Sequence, residues 1–334
     1  MPFQSLAIDP SLSEASWGLA RIVRRRAPWN VNQIRLPLDT TYESLRDGTG
    51  VDLYMVDSGI DLSHAEVSGR ATNVYEFHSS SGAGDDHGHG TAVASVAAGN
   101  TCGPARGAQI FSFKCYNSAG ITGLSDVTAC LNEVAAHYAS RADLNRPAVL
   151  SISVAGNLPG LASPIGTLID AGMPVAAAVH NHGRLLDNFF PMHPAMVTDV
   201  LACGGIAMND SPYYLGQQLD EFGTLQVGTN FGPEIDILAP SQSLRMARAA
   251  FLGGGYRVWS GTSFAAPMVA GVLACMLQGK NRLTTRTQVQ AVNAKLISNA
   301  TSGRLRTIPF IGSLPDRIVY LDPRASTEAI PGVP

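Results

Sequence analysis

Ser263, His89 and Asp57 are the residues of this chain whose types could pass a proton in series. A serine hydroxyl attacks a carbonyl at neutral pH only when a base takes its proton, and a carboxylate that orients the base completes the set. Ser263 lies in Trp259-Ser260-Gly261-Thr262-Ser263-Phe264-Ala265-Ala266-Pro267, a small-residue turn that leads into an apolar helical run. Asp57 ends the apolar run from Val51 and is followed by Ser58-Gly59-Ile60-Asp61. His89 precedes Gly90-Thr91 and opens the Ala/Val-rich stretch Ala92–Ala98. Alone, Asp-Ser-Gly reads as a surface turn. Together, in the order Asp, His, Ser, the three point to nucleophilic attack on an acyl group. The nucleophile segment lacks the G-x-S-x-G elbow of lipases and esterases, which turns the reading from esters toward peptides.

Elements that could bring these residues together follow from hydrophobic periodicity. Apolar strands are expected at 51–56, 108–115, 148–154, 174–179 and 200–206, with a further strand and turn at 235–240. Helices alternate with them, over about 125–138, 164–171, 263–278 and 288–298. The first carries Val127, Cys130, Leu131, Val134 and Tyr138 at helical spacing. Strand-helix alternation predicts an α/β fold with a mostly parallel sheet covered by helices, and ligands gather at the carboxyl ends of such strands. Pro267 is expected in the first turn of its helix, where its missing N–H costs nothing. Residues 40–50, 79–88, 208–228 and 241–260 read as loops, His87 as a solvent-exposed loop residue, and Tyr213 and Tyr214 as either cleft lining or surface packing. Residues 1–16 read as an N-terminal arm, 17–321 as one domain and 322–334 as a flexible Pro-rich tail.

The motifs Asp57-Ser58-Gly59-Ile60-Asp61, His89-Gly90-Thr91 and Gly261-Thr262-Ser263 with Ala266-Pro267 resemble the three signatures of the subtilisin-like serine peptidases (subtilases), nearest to the proteinase K branch. The Asp, His, Ser order is that of subtilisin. Gly107–Lys114 with Gly120, Ser153, Asn181 with Gly183, and Gly232–Pro240 extend the similarity across residues 17–321. The resemblance implies a three-layer sandwich with a mostly parallel central sheet, and a serine endopeptidase of polypeptide substrates with no catalytic cofactor. It assigns Asp57 as orienter, His89 as base, Ser263 as nucleophile and Asn181 as oxyanion donor. Ser153, Val154, Ala155 and Gly156 correspond to the strand that pairs with substrate backbone. Ala155, Val179 and His180 replace smaller residues around the first substrate pocket, which predicts a bias toward small or medium side chains before the cleaved bond. Relatives often bind structural calcium, for which no acidic loop here has a decisive pattern. A catalytically silent protein with a peptide-binding or structural role is the competing reading.

Composition narrows the partners. A formal net charge of -3 gives no global basic field for nucleic acid, and Arg21 with Arg24-Arg25-Arg26 reads as a solvated face. Five cysteines include no CxxC or metal spacing, and Cys115, Cys203 and Cys275 lie in apolar runs as buried small hydrophobes. No membrane segment is expected, because no stretch of 18 or more apolar residues occurs. A monomer is the expected state. Trp17–Ile22 resembles the start of a mature subtilase domain. The expected setting is therefore intracellular or phage-associated without a chaperone prosegment, or secreted with a presequence outside the sequence given.

Overall fold

Strands buried on both faces need long apolar runs, and the central strands of this chain are of that kind. The structure, a computed structural model, describes residues 4–7, 17–27, 41–77, 84–219 and 225–334. Strand β1 (Gln4–Ala7) pairs antiparallel with β2 (Thr41–Ser44), and helix α1 (Trp17–Ile22) lies between them in sequence. There follow β3 (Asp52–Asp57), β4 (Ala71–Glu76), α2 (His89–Ala98), β5 (Gln109–Lys114), α3 (Leu124–Ser140), β6 (Ala148–Ile152), α4 (Ala162–Asp170), β7 (Val175–Ala178) and β8 (Leu201–Ile206). Hairpin β9 (Tyr214–Leu219) with β10 (Leu225–Gly228) precedes β11 (Ile237–Pro240); hairpin β12 (Leu244–Ala247) with β13 (Tyr256–Trp259) leads into α5 (Thr262–Leu277) and α6 (Arg286–Asn299).

Seven strands form one parallel sheet in the order β11-β8-β7-β6-β3-β5-β4. The chain winds outward from β3 in one direction to β4 and β5, then returns to β6 on the other side. Such a reversal leaves a crevice at the carboxyl end of the central strands, and Asp57 is the last residue of β3. Helix α5 packs on β6, β7, β8 and β11 and on α2, while α3 packs on β3, β4 and β5. Fifteen of the sixteen residues of α5 are buried, so the helix is apolar on every side. Its contact with α2 is close: a Cβ on Gly271 would come within 2.3 Å of the Ala97 carbonyl oxygen.

Several expectations change. The segments 208–228 and 241–260 contain hairpins rather than loops alone, built from strands of only four to six residues. The expected loop 79–88 lies partly outside the described residues, as does the expected arm apart from β1. Arg21 is not solvated. It is fully buried, and its Nε and Nη2 donate to the two carboxylate oxygens of Asp210 at 2.6 and 3.3 Å. Pro267 falls in the second turn of α5, not the first, and so removes one bond of the helix ladder. All five cysteines are buried and free.

The stretch expected to be loose, 322–334, is docked. Ile330 and Val333 are buried, and Glu328 accepts from the guanidinium of fully buried Arg46 at 2.8 Å. Asn299 and Lys295 also face that carboxylate, at 3.1 and 3.4 Å. Removing one member of a buried ion pair strands the other, at a cost of about 3–5 kcal/mol. Glu328→Ala should therefore destabilise the protein by about that amount in denaturant titration; a loss below roughly 0.5 kcal/mol, the range of ordinary surface changes, would contradict docking of the tail.

Candidate active site

Helix α2 begins with Gly88 at its N-terminal boundary, a residue with no side chain to cap the free amides. The donors are satisfied from outside. Asp85 Oδ1 accepts from His87 N and Gly88 N at 3.1 and 2.7 Å, and its Oδ2 accepts from Thr91 N and Thr91 Oγ1 at 2.9 and 2.5 Å. Ser58 Oγ donates to Asp85 Oδ1 and accepts from Gly90 N, each at 2.8 Å. This knot ties the residue after Asp57 to the residue after His89. Gly90 also rests on the Ser58-Gly59 turn so closely that a Cβ would sit 2.1 Å from the Gly59 carbonyl oxygen. Buried Lys114, the last residue of β5, donates to the Gly84 carbonyl at 2.9 Å and pairs with Asp86 at 2.7 Å, which fixes the approach to the helix.

Within this frame His89 Nδ1 lies 2.8 Å from Asp57 Oδ1, and the same oxygen accepts from Ser58 N at 2.8 Å. Asp57 is 1% exposed. The carboxylate therefore fixes the proton of a neutral ring on Nδ1 and leaves Nε2 as the basic atom. Trp259 meets the ring edge-on at 5.5 Å between centroids, with Phe264 at 5.8 Å. Burial pushes the imidazole down, but the Asp57 charge, its hydrogen bond and the Asp85 charge outweigh it, with Arg257 opposing. The net result lies above the ordinary 6.5.

Ser263 is the second residue of α5 and faces the same cavity, of about 440 Å³, as His89 and Asn181. Among the described residues its hydroxyl makes no direct hydrogen bond to His89, an arrangement common before a ligand tightens the site. Two polar residues hold its backbone. The ladder bond lost at Pro267 would have ended on the Ser263 carbonyl, and Ser153 Oγ donates to that oxygen at 2.8 Å instead. Asn181 Oδ1 accepts from Thr262 N and Thr262 Oγ1 at 2.8 and 2.9 Å, so the asparagine caps α5 and its amide nitrogen is left for another partner.

The other expected substrate contacts divide. Ala155 and His180 line the cavity, whereas Val154 and Val179 are buried in the core at 2% and 0% exposure. Val179 is thus not part of the pocket wall, because successive residues leaving β7 face opposite sides. Gly156 already exchanges backbone hydrogen bonds with His193, at 3.2 and 2.7 Å. Among the described residues the Ala155 N–H and C=O have no protein partner, so the open edge is at Ala155. His87, expected in solvent, is 8% exposed and lines the cavity against Gly120. Asp85 was not singled out from the sequence, although an Asp just ahead of a helix start is a capping signal. Among the described residues no group of three or more His, Cys, Asp or Glu side chains is placed to hold a metal ion, and no helix is long and apolar enough to cross a membrane.

The chain is 30% identical over 308 residues to alkaline serine exoprotease A of Vibrio alginolyticus, covering 90% of this chain and 51% of that protein. It is 31% identical to the subtilisin-like serine protease Pen c 1 of Penicillium citrinum, over 89% of this chain and 68% of that one. The chain thus spans about half to two thirds of the length of these relatives. The crystal structure of a cold adapted subtilisin-like serine proteinase superposes with a TM-score of 0.74 at 28% identity, over 92% of this chain and 98% of that one. Residues 48–311 match the model of the subtilase family, and with the parallel sheet and the helices that flank it they show that this chain belongs to that family.

Proposed function

We propose that the protein is a serine endopeptidase that cleaves polypeptides through Asp57, His89 and Ser263. The observation that carries the reading is the 2.8 Å bond from buried Asp57 to His89, which lines one cavity together with Ser263 and Asn181. His89 Nε2 takes the Ser263 proton as Oγ attacks the scissile carbonyl. The tetrahedral oxyanion is met by the Ser263 backbone N–H and by Asn181 Nδ2, which is oriented because Oδ1 is already committed to Thr262. His89 then gives its proton to the leaving amine, and water repeats the cycle on the acyl-enzyme. Every proton that leaves Ser263 or water passes through one imidazole.

Substrate is held by backbone pairing. An extended peptide adds a strand to the free edge at Ala155, which reads main chain more than side chain. Ala155 and His180 narrow the cavity beside it, so small or medium residues before the cleaved bond are favoured over Phe and Tyr. Cleavage inside a peptide blocked at both ends distinguishes an endopeptidase from an exopeptidase.

Ser263→Ala should lower kcat by about 10⁶, the scale found for the triad serine of subtilisin itself; turnover that persists in a clean preparation would remove Ser263 from the mechanism. Asn181→Ala should cost about 10²–10³ in kcat with little change in KM, again a scale taken from subtilisin. The pH profile follows from the raised imidazole. Attack needs neutral His89, so the acid limb of kcat/KM should have its midpoint above 6.5. Asp85→Asn removes a charge that favours the imidazolium, and the limb should move to lower pH. An unmoved limb would mean that the Asp85 charge is not felt at His89. For stability the sign is opposite: protonated His89 contributes below the unfolded value, and that contribution is lost as pH rises through the folded value.

A further inference from the structure

His180 follows the end of β7, next to Asn181, with φ of 75°, in the left-handed region that favours glycine. Holding a histidine there costs backbone strain, and the ring makes a specific local bond in return. Its Nδ1 accepts from the backbone N–H of Asn181 at 2.8 Å. An Nδ1 that accepts carries no proton, so in the neutral ring the proton resides on Nε2. Burial, followed by the nearby His182, pushes the group down to about 4, so the ring is neutral over the working range of a peptidase. His182 lies against it with ring centroids 3.9 Å apart, which limits rotation of the imidazole. The ring is therefore pinned in orientation and tautomer.

Among the described residues His180 Nε2 has no hydrogen-bond partner, and the side chain lines the cavity that contains Ser263, Asn181 and Ala155. We infer that His180 is a specificity-determining residue, whose fixed Nε2–H selects substrates with a hydrogen-bond acceptor, such as an amide oxygen, on the side chain just before the cleaved bond. The inference rests on the endopeptidase reading and adds chemistry to the size limit set by Ala155 and His180. A substrate that offers no acceptor leaves the donor desolvated and unpaired, a loss that shape alone does not cause.

Three peptides, alike except for Asn, Leu or Phe at that position, test it. Asn and Leu have nearly the same shape and differ in the acceptor, so Asn should be favoured in kcat/KM by roughly tenfold, the worth of one hydrogen bond near the upper end of its range. His180→Gly suits the positive φ and should fold; it should erase the Asn preference and raise the use of Phe relative to Leu. His180→Asn also tolerates the left-handed backbone but is too short to reach the same place, and should likewise lose the preference. Equal use of Asn and Leu by the unaltered enzyme would overturn the inference. So would an equal fall in kcat for all three peptides in His180→Gly, because the ring would then serve only to brace Asn181. Failure to cleave any of the three, or casein, would instead refute the peptidase reading, and the inference would fall with it.

Discussion

Two helices start at this site, α2 with the histidine and α5 with the serine, and neither supplies its own cap. Free amides at a buried helix start must find acceptors. For α2 the acceptors are the Asp85 carboxylate and the Ser58 hydroxyl; for α5 the acceptor is the Asn181 side-chain oxygen. Each of these comes from a segment that also carries chemistry, or lies one residue from one. Hydrogen bonds that the fold requires thus help to set the separations among Asp57, His89, Asn181 and Ser263. The defect at Pro267 is handled in the same way, with Ser153, just past the end of β6, closing the gap on the Ser263 carbonyl.

This coupling shapes the electrostatics. His89 is half-buried among Trp259, Phe264 and Tyr116, surroundings that favour its neutral form. Asp57 and Asp85 pull the other way, and their combined effect prevails. Such a ring can accept a proton from serine, because the positive charge formed meets a fixed carboxylate instead of waiting for water to reorient. His180, just past the end of β7, the strand paired with β6, is treated oppositely. Burial and a neighbouring histidine keep it neutral. Two of the imidazoles that line the cavity are thus tuned apart by surroundings alone, one raised and one lowered from the ordinary value.

What could be read from the sequence had a local cause. Parallel strands announce themselves as apolar runs, and Asp57, His89 and Ser263 sit at abrupt boundaries between such runs and glycine-rich turns. The family resemblance rested on those same boundaries. Features set by distant partners were not legible. Arg21 and Arg46 are buried because Asp210 and Glu328, far along the chain, meet them, and no window of sequence contains both members. Val179 faces the core because of the side on which β7 delivers it, a matter of strand register. The hairpins β9–β10 and β12–β13 are too short for periodicity to separate them from loops. Pro267 was misplaced by one turn because the helix start depends on the Asn181 cap and not on a residue of α5 itself.

Ser263 is the proposed nucleophile, activated through His89. A fluorophosphonate reacts with an activated serine hydroxyl and displaces fluoride, leaving a stable phosphonyl ester whose position mass spectrometry of the digest can locate. One label per chain is expected, on Ser263, and it should be lost in His89→Ala with the protein still folded. Labelling of another serine, or unchanged labelling of Ser263 without the histidine, would contradict this assignment.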